Sequence, residues 1–247
     1  SGRGIDFKPY VANKWGSGDS SDSNEFDTGF DLFYRVTPSL TATLTYNTDF
    51  AETEVDQRKV NLSRFPLFYP EKRDFFLEGA EQFTFGGLSE SPLAFHSRTI
   101  GLSTEGNKID VVGGAKITGR QGPFGIGMLG MRLDDHGDLD ADEVFMGRFT
   151  YDLLDESKVG AIYTHGDPQA NIDNNLVGVD LNLRASEWWR GQSVVLHSFY
   201  MTTHDGEAGS DDVVGAWFSF PNYPFRMGGH WVRPGENFEP ALGFVRR

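Results

Sequence analysis

Glu71, Lys72, Arg73, Asp74 and Glu78 form the densest mixed-charge cluster in the chain, in a segment that opens at Arg64 and carries the aromatic pair Phe75-Phe76. Carboxylates beside cations suit acid/base chemistry, or a charged contact that shapes a pore. A salt-bridged turn is the competing reading, and it is favoured: Pro70 is a turn residue, and Phe75 and Phe76 are natural anchors for a segment packed against a wall.

Asp138, Asp140 and Asp142 stand at alternate positions with Glu143 adjacent. Hard cations such as Ca²⁺ take oxygen ligands of this kind. Counted from Asp138, however, the sixth and twelfth positions are Glu143 and Phe149, where an EF-hand needs Gly and Glu. A solvated acidic loop is the favoured reading, with Ca²⁺ held open. The histidines 96, 136, 165, 197, 204 and 230 include no pair at metal-ligand spacing, and neither a His-Glu-x-x-His helix nor a Gly-x-Ser-x-Gly elbow is present. No catalytic residue is assigned.

Trp188 and Trp189 lie beside Arg190, and Tyr223, Phe225 and Trp231 cluster further on. In a membrane barrel these suit the aromatic girdle at the lipid interface. In a secreted sugar-binding protein they would stack on pyranose rings. The basic neighbours Arg184 and Arg190 favour the girdle.

These residues need elements to position them, and period-two alternation supplies strands. Phe30, Leu32, Tyr34 and Val36 share one face against Asp31 and Arg35. Leu40, Ala42, Leu44 and Tyr46 interleave with Thr41, Thr43 and Thr45, and Val177, Val179, Leu181 and Leu183 with Asp180, Asn182 and Arg184. Strands are predicted at 5–15, 28–36, 40–50, 53–63, 93–101, 109–119, 123–134, 143–153, 157–165, 174–185, 192–203, 212–221 and 225–234.

Short connections (37–39, 119–122, 154–156, 186–191, 222–224) alternate with longer acidic ones (16–27, 134–142, 166–173, 204–211). This predicts an all-β, antiparallel, up-and-down transmembrane barrel of 13 or 14 strands, with short turns at one end and long loops at the other. The apolar sets would face lipid; Asp31, Arg35, Asp180, Asn182 and Arg184 would face the lumen. Residues 1–247 read as a single barrel domain, and the irregular stretch 64–92 as a plug or periplasmic-side insertion, because unpaired backbone is not tolerated against lipid. An odd strand count and an apparent new strand at Val245–Arg247 make the domain a partial one.

The chain has 247 residues, with 36 acidic against 22 basic side chains and a net charge of −14. That balance argues against nucleic acid as a partner. The absence of cysteine excludes disulfides and thiolate metal sites. No apolar run reaches the ~18 residues of a membrane-spanning helix, whereas alternating strands leave mean hydropathy negative even in a barrel.

The run Asn61-Leu-Ser-Arg-Phe-Pro-Leu-Phe-Tyr-Pro-Glu-Lys-Arg-Asp-Phe-Phe-Leu-Glu-Gly79, preceded by Asn47–Asp56, resembles the signature of an uncharacterised bacterial domain family. Phe95–Gly101, Gly113–Gly119 and Pro240–Arg246 resemble further blocks of it. The resemblance implies an outer-membrane β-barrel downstream of a family-9 carbohydrate-binding-like domain. Some relatives carry a hydrolase label with no catalytic motif behind it.

The expected function is therefore an outer-membrane pore, transport component or envelope scaffold. Its partners would be lipid, lipopolysaccharide and a periplasmic or envelope protein, with Ca²⁺ as a candidate ion at the acidic outer loops. The alternative from another class is a secreted β-rich carbohydrate-binding protein or glycoside hydrolase.

Overall fold

The computed structural model describes residues 4–16, 23–47, 68, 70–103 and 109–246, and only the backbone of 12–16, 23–27, 188 and 189. Eleven strands form one antiparallel sheet in simple sequence order. They are β1 (Ile5–Gly16), β2 (Ser23–Thr37), β3 (Leu40–Tyr46), β4 (Val111–Gln121), β5 (Phe124–Leu133), β6 (Glu143–Leu154), β7 (Ser157–His165), β8 (Asn174–Trp189), β9 (Gln192–Asp205), β10 (Gly209–Pro221) and β11 (Arg226–Pro234). The meander is thus all-β and up-and-down. Among the described residues the sheet is open, with β1 and β11 as its edges.

Register sorts the side chains. Asp31 pairs with Thr45, Thr43 with Lys116, Lys116 with Leu129, Leu129 with Met146, Met146 with Thr164, Thr164 with Leu176 and Leu176 with Thr203. Directly paired residues share a face, so these rows define an inner face. Leu44, Ile117, Phe149, Val177, Val179, Tyr200 and Phe218 occupy the other face and are exposed. The usual burial is inverted: Val177 and Val179 are each 52% exposed, whereas Lys116 and Arg148 are 1% exposed.

The inner face is covered by two segments that leave the sheet at the same end. Residues 70–103 belong to the connection from β3 to β4; they contain a short helix, α1 (Asp74–Leu77), and 3-10 turns at Ala80–Phe83 and Ser97–Thr99. Residues 235–246 follow β11 and join the first segment through a bridge between Leu93 and Phe244. Phe75, Phe76, Phe83, Phe85, Ala94, Ile100, Phe238 and Leu242 from these segments pack on Leu129, Met131, Leu133, Val144, Met146, Ile162, Leu176, Met201 and Val213 of the wall. This is the core, and it lies inside the curve of the meander.

Glycines in the strands make room for it. A Cβ on Gly178 would stand 2.8 Å from Phe85 Cζ, and one on Gly127 2.9 Å from the Phe83 ring. Both are closer than a real Cβ approaches, so glycine lets these rings lie on the backbone of the wall.

Three sequence expectations are corrected. Residues 93–101 are not a strand: Arg73 binds the carbonyls of Ser97 and Ile100 and stabilises a 3-10 turn there. With 53–63 outside the described residues, the described strands number eleven. Residues 204–211 are mostly strand, since β9 runs to Asp205 and β10 starts at Gly209. Val245 and Arg246 do not begin a strand; they end the segment that packs on the inner face, with Arg246 N–H donating to Ser91 Oγ at 2.7 Å. The short connections 38–39, 122–123, 155–156, 190–191 and 222–225 all lie at one end, and the connections 134–142, 166–173 and 206–208 at the other, with the last residue of β3 and the first of β4.

Candidate functional site

The inner-face charges that the strands position are used to hold the covering segments, here called the plug. Arg148 on β6 donates from Nε to Thr84 O at 3.0 Å and from Nη2 to Asp180 Oδ2 at 2.8 Å. Asp180 on β8 accepts the Gly86 N–H at 2.9 Å. The Arg148 guanidinium lies 5.1 Å from the Phe85 ring centroid. An ion pair spanning two strands therefore grips the backbone of Thr84–Gly86, and Gly160 between them leaves space for Arg148: a Cβ there would meet Nη1 at 2.3 Å.

Lys116 on β4 makes the second contact. Its Nζ donates to the carbonyls of Phe75 and Glu78, the latter at 2.6 Å, and lies 4.7 Å from the Phe75 ring centroid. A cation at these carbonyls neutralises the negative end of α1.

The third cluster is internal to the plug. Glu71 Oε1 and Oε2 accept from Arg73 Nε at 2.8 Å and Nη2 at 2.6 Å, and Ser97 Oγ donates to Oε2 at 2.7 Å. Burial opposes the Glu71 charge, yet the bonds and charge of Arg73, with help from Ser97, hold its carboxyl at about 2 instead of the ordinary 4.5. Arg73 also lies 4.1 Å from the Phe76 ring centroid. A bidentate, buried Arg–Glu pair fixes the path of the chain between residues 71 and 100.

Of the residues singled out in the sequence, Glu71 and Arg73 are thus joined to each other, and Phe75 and Phe76 are buried in the core. Lys72, Asp74 and Glu78 are exposed. Arg64 lies outside the described residues. Asp31, Arg35, Asp180, Asn182 and Arg184 share the inner face by register. The Trp188 and Trp189 side chains are not described, Tyr223 is exposed in the 222–225 connection, and Trp231 is exposed on the outer face of β11 near the opposite end.

Asp138, Asp140 and Asp142 do not converge, and among the described residues no group of three or more His, Asp or Glu is placed to share a metal ion. Asp142 is engaged with backbone instead: Oδ1 accepts from Glu143 N and Oδ2 from Asp167 N. Sequence reasoning missed Lys116 and Arg148. The available signal was a cation at a central inward position of a strand, Lys116 between Gly114 and Thr118 and Arg148 between Met146 and Thr150.

The plug-bearing half of the chain decides its kinship: residues 4–130, which run from β1 through the plug into β5, match the model of a domain of unknown function, DUF5916. The chain belongs to the DUF5916 family. No curated protein sequence matches this DUF5916 chain. Among solved structures it is similar to OmpT (in-vitro folded), an outer membrane protein of Vibrio cholerae, at 8% identity and a TM-score of 0.34, over 98% of this chain and 92% of that one.

Proposed function

We propose that this DUF5916 chain is the wall and plug of an outer-membrane β-barrel that serves as a transport component. The observation that carries the reading is the inverted sheet: large apolar side chains on the exposed outer face, and Lys116, Arg148, Asp180 and the threonines of β3 on the covered inner one. An exposed apolar surface running across many strands needs a non-aqueous covering. Its height suits a bilayer. From Val177 to Leu183 the strand rises about 20 Å at roughly 3.3 Å per residue, close to the ~25 Å apolar band of outer-membrane barrels.

In this reading the plug occupies part of the lumen, the short turns are periplasmic, and the acidic connections lie outside, where cations shared with lipopolysaccharide would gather. Tyr223 and Trp231 would mark the two lipid boundaries. Association with a family-9 carbohydrate-binding-like domain, which the family resemblance implies, would make sugar-derived solutes a first class to assay.

The test is phase partitioning followed by bilayer recording. Full-length protein should require detergent to stay monodisperse and should insert into lipid vesicles. A folded, monodisperse protein in detergent-free buffer would overturn the reading, and a folded, inserted protein that passes neither ions nor solutes would overturn its transport part.

A further inference from the structure

The plug does not cover the wall evenly. Its aromatic rings lie chiefly on β5–β10, while the inner face of β1–β4 is largely polar, with Asp6 and Lys8 on β1, Asp31 and Arg35 on β2, Thr41, Thr43 and Thr45 on β3, and Lys116 and Thr118 on β4, beside the apolar Phe33 on β2 and Val111 at the end of β4. Between these strands and α1 lies a cavity of about 560 Å³ whose lining includes Asp6, Lys8, Arg35, Thr41, Asp74 and Glu78. Next to it along the same strands, Asp31 Oδ1 and Thr43 Oγ1 are buried and meet no hydrogen-bond partner among the described residues. Buried polar atoms are almost always paired, and water is the partner a polar seam supplies.

Resting on the barrel reading, we propose that this seam is a hydrated path past the plug for small zwitterionic solutes. Its two sides differ in sign. The strand side presents Lys8 and Arg35, with Asp6 beside them, and the plug side presents Asp74 and Glu78. Opposed charges on the two sides of the path set up a transverse field that aligns a solute bearing both charges and favours it over one bearing a single charge.

Cysteine accessibility tests the path directly, because the chain has no cysteine of its own. In full-length protein folded in detergent, Thr41→Cys and Thr43→Cys should react with a charged methanethiosulfonate at least tenfold faster than Met146→Cys, which sits on the wall beneath the plug. Should Thr43→Cys fail to fold, Thr41→Cys at the cavity margin carries the comparison alone. In planar bilayers, Asp74→Asn with Glu78→Gln should shift the reversal potential in a KCl gradient towards anions, and Lys8→Gln with Arg35→Gln towards cations. In vesicle swelling, glycine should enter wild-type liposomes faster than acetate or methylammonium, and either double variant should lose that preference.

Protection of the threonine-derived cysteines equal to that of Met146→Cys overturns the proposal, as does a reversal potential that neither double variant moves. Either result in a protein that still needs detergent and inserts into lipid leaves the barrel reading standing; failure to insert strikes the barrel reading itself.

Discussion

The carboxylate of Asp180 on β8 and the guanidinium of Arg148 on β6 meet at 2.7 Å across the intervening strand, and together they hold the plug by its backbone. Both side chains are at least nine-tenths buried. Removing one partner of such a pair leaves an uncompensated charge and costs about 3–5 kcal/mol. Asp180→Ala should therefore lower the unfolding midpoint strongly and open the Thr84–Gly87 backbone to protease. Arg148→Met combined with Asp180→Leu should recover part of the global stability while the loop stays cleavable, because neither replacement binds Thr84 O or Gly86 N–H. Pulsed proteolysis beside thermal unfolding in detergent separates the two effects.

Gly178 and Gly127 are where plug rings rest on wall backbone. Gly178→Ala should displace the Phe85 ring and cost about 1–3 kcal/mol, as overpacking does. Gly122, whose added Cβ would meet nothing within 4 Å, shows no such crowding, although its φ of +58° makes a substitution there strained in its own right. Gly178→Ala should raise reactivity of a Met146→Cys probe, and a Gly122→Asn control, which the left-handed region tolerates, should not.

Acid should loosen the plug through Glu71. Its folded pKa, about 2, lies below the ordinary 4.5. The stabilisation is complete above the unfolded value and is lost as pH falls from about 4.5 towards 2, on the order of 3 kcal/mol in total. Glu71→Gln should remove most of that dependence and lower stability at neutral pH. Unfolding midpoints at pH 6, 4 and 3 for both proteins check the sign.

Outer-face charges should be costly only if lipid covers that face. Val179→Arg should weaken folding into vesicles by about 2–4 kcal/mol, the cost of arginine near a bilayer midplane. Asn182→Arg, on the inner face of the same strand, should fold nearly as wild type. Equal effects at both positions would contradict the sidedness assigned to β8.

The wall was legible because each strand carries its own two-sided pattern: Val177, Val179 and Leu181 against Asp180 and Asn182 place β8 with no knowledge of its neighbours. The plug was legible only as an irregularity. Residues 93–101 mimic a strand because they are buried between wall and tail, and Arg73, more than twenty positions upstream, decides their turn. Val245–Arg247 reads as the start of another strand because nothing local shows that the stretch before it, from Pro240, folds back on the wall. The place of that stretch on the inner face depends on Asn174, which donates to Glu239 O and accepts from Ala241 N, a pairing across more than sixty residues. The Arg148–Asp180 pair was hidden because strand periodicity gives a residue's face but not its partner two strands away.

The bond from Arg246 N–H to Ser91 Oγ joins positions 155 residues apart. Eight of the eleven described strands, β4 to β11, lie between them, so this contact of the plug forms only once the chain beyond β11 is in place. Contacts this distant in sequence are made late, after the closure entropy of the intervening chain has been met. The order of assembly therefore follows the order of the chain, with residues 235–246 closing over the Phe75, Phe76, Phe83 and Phe85 rings last.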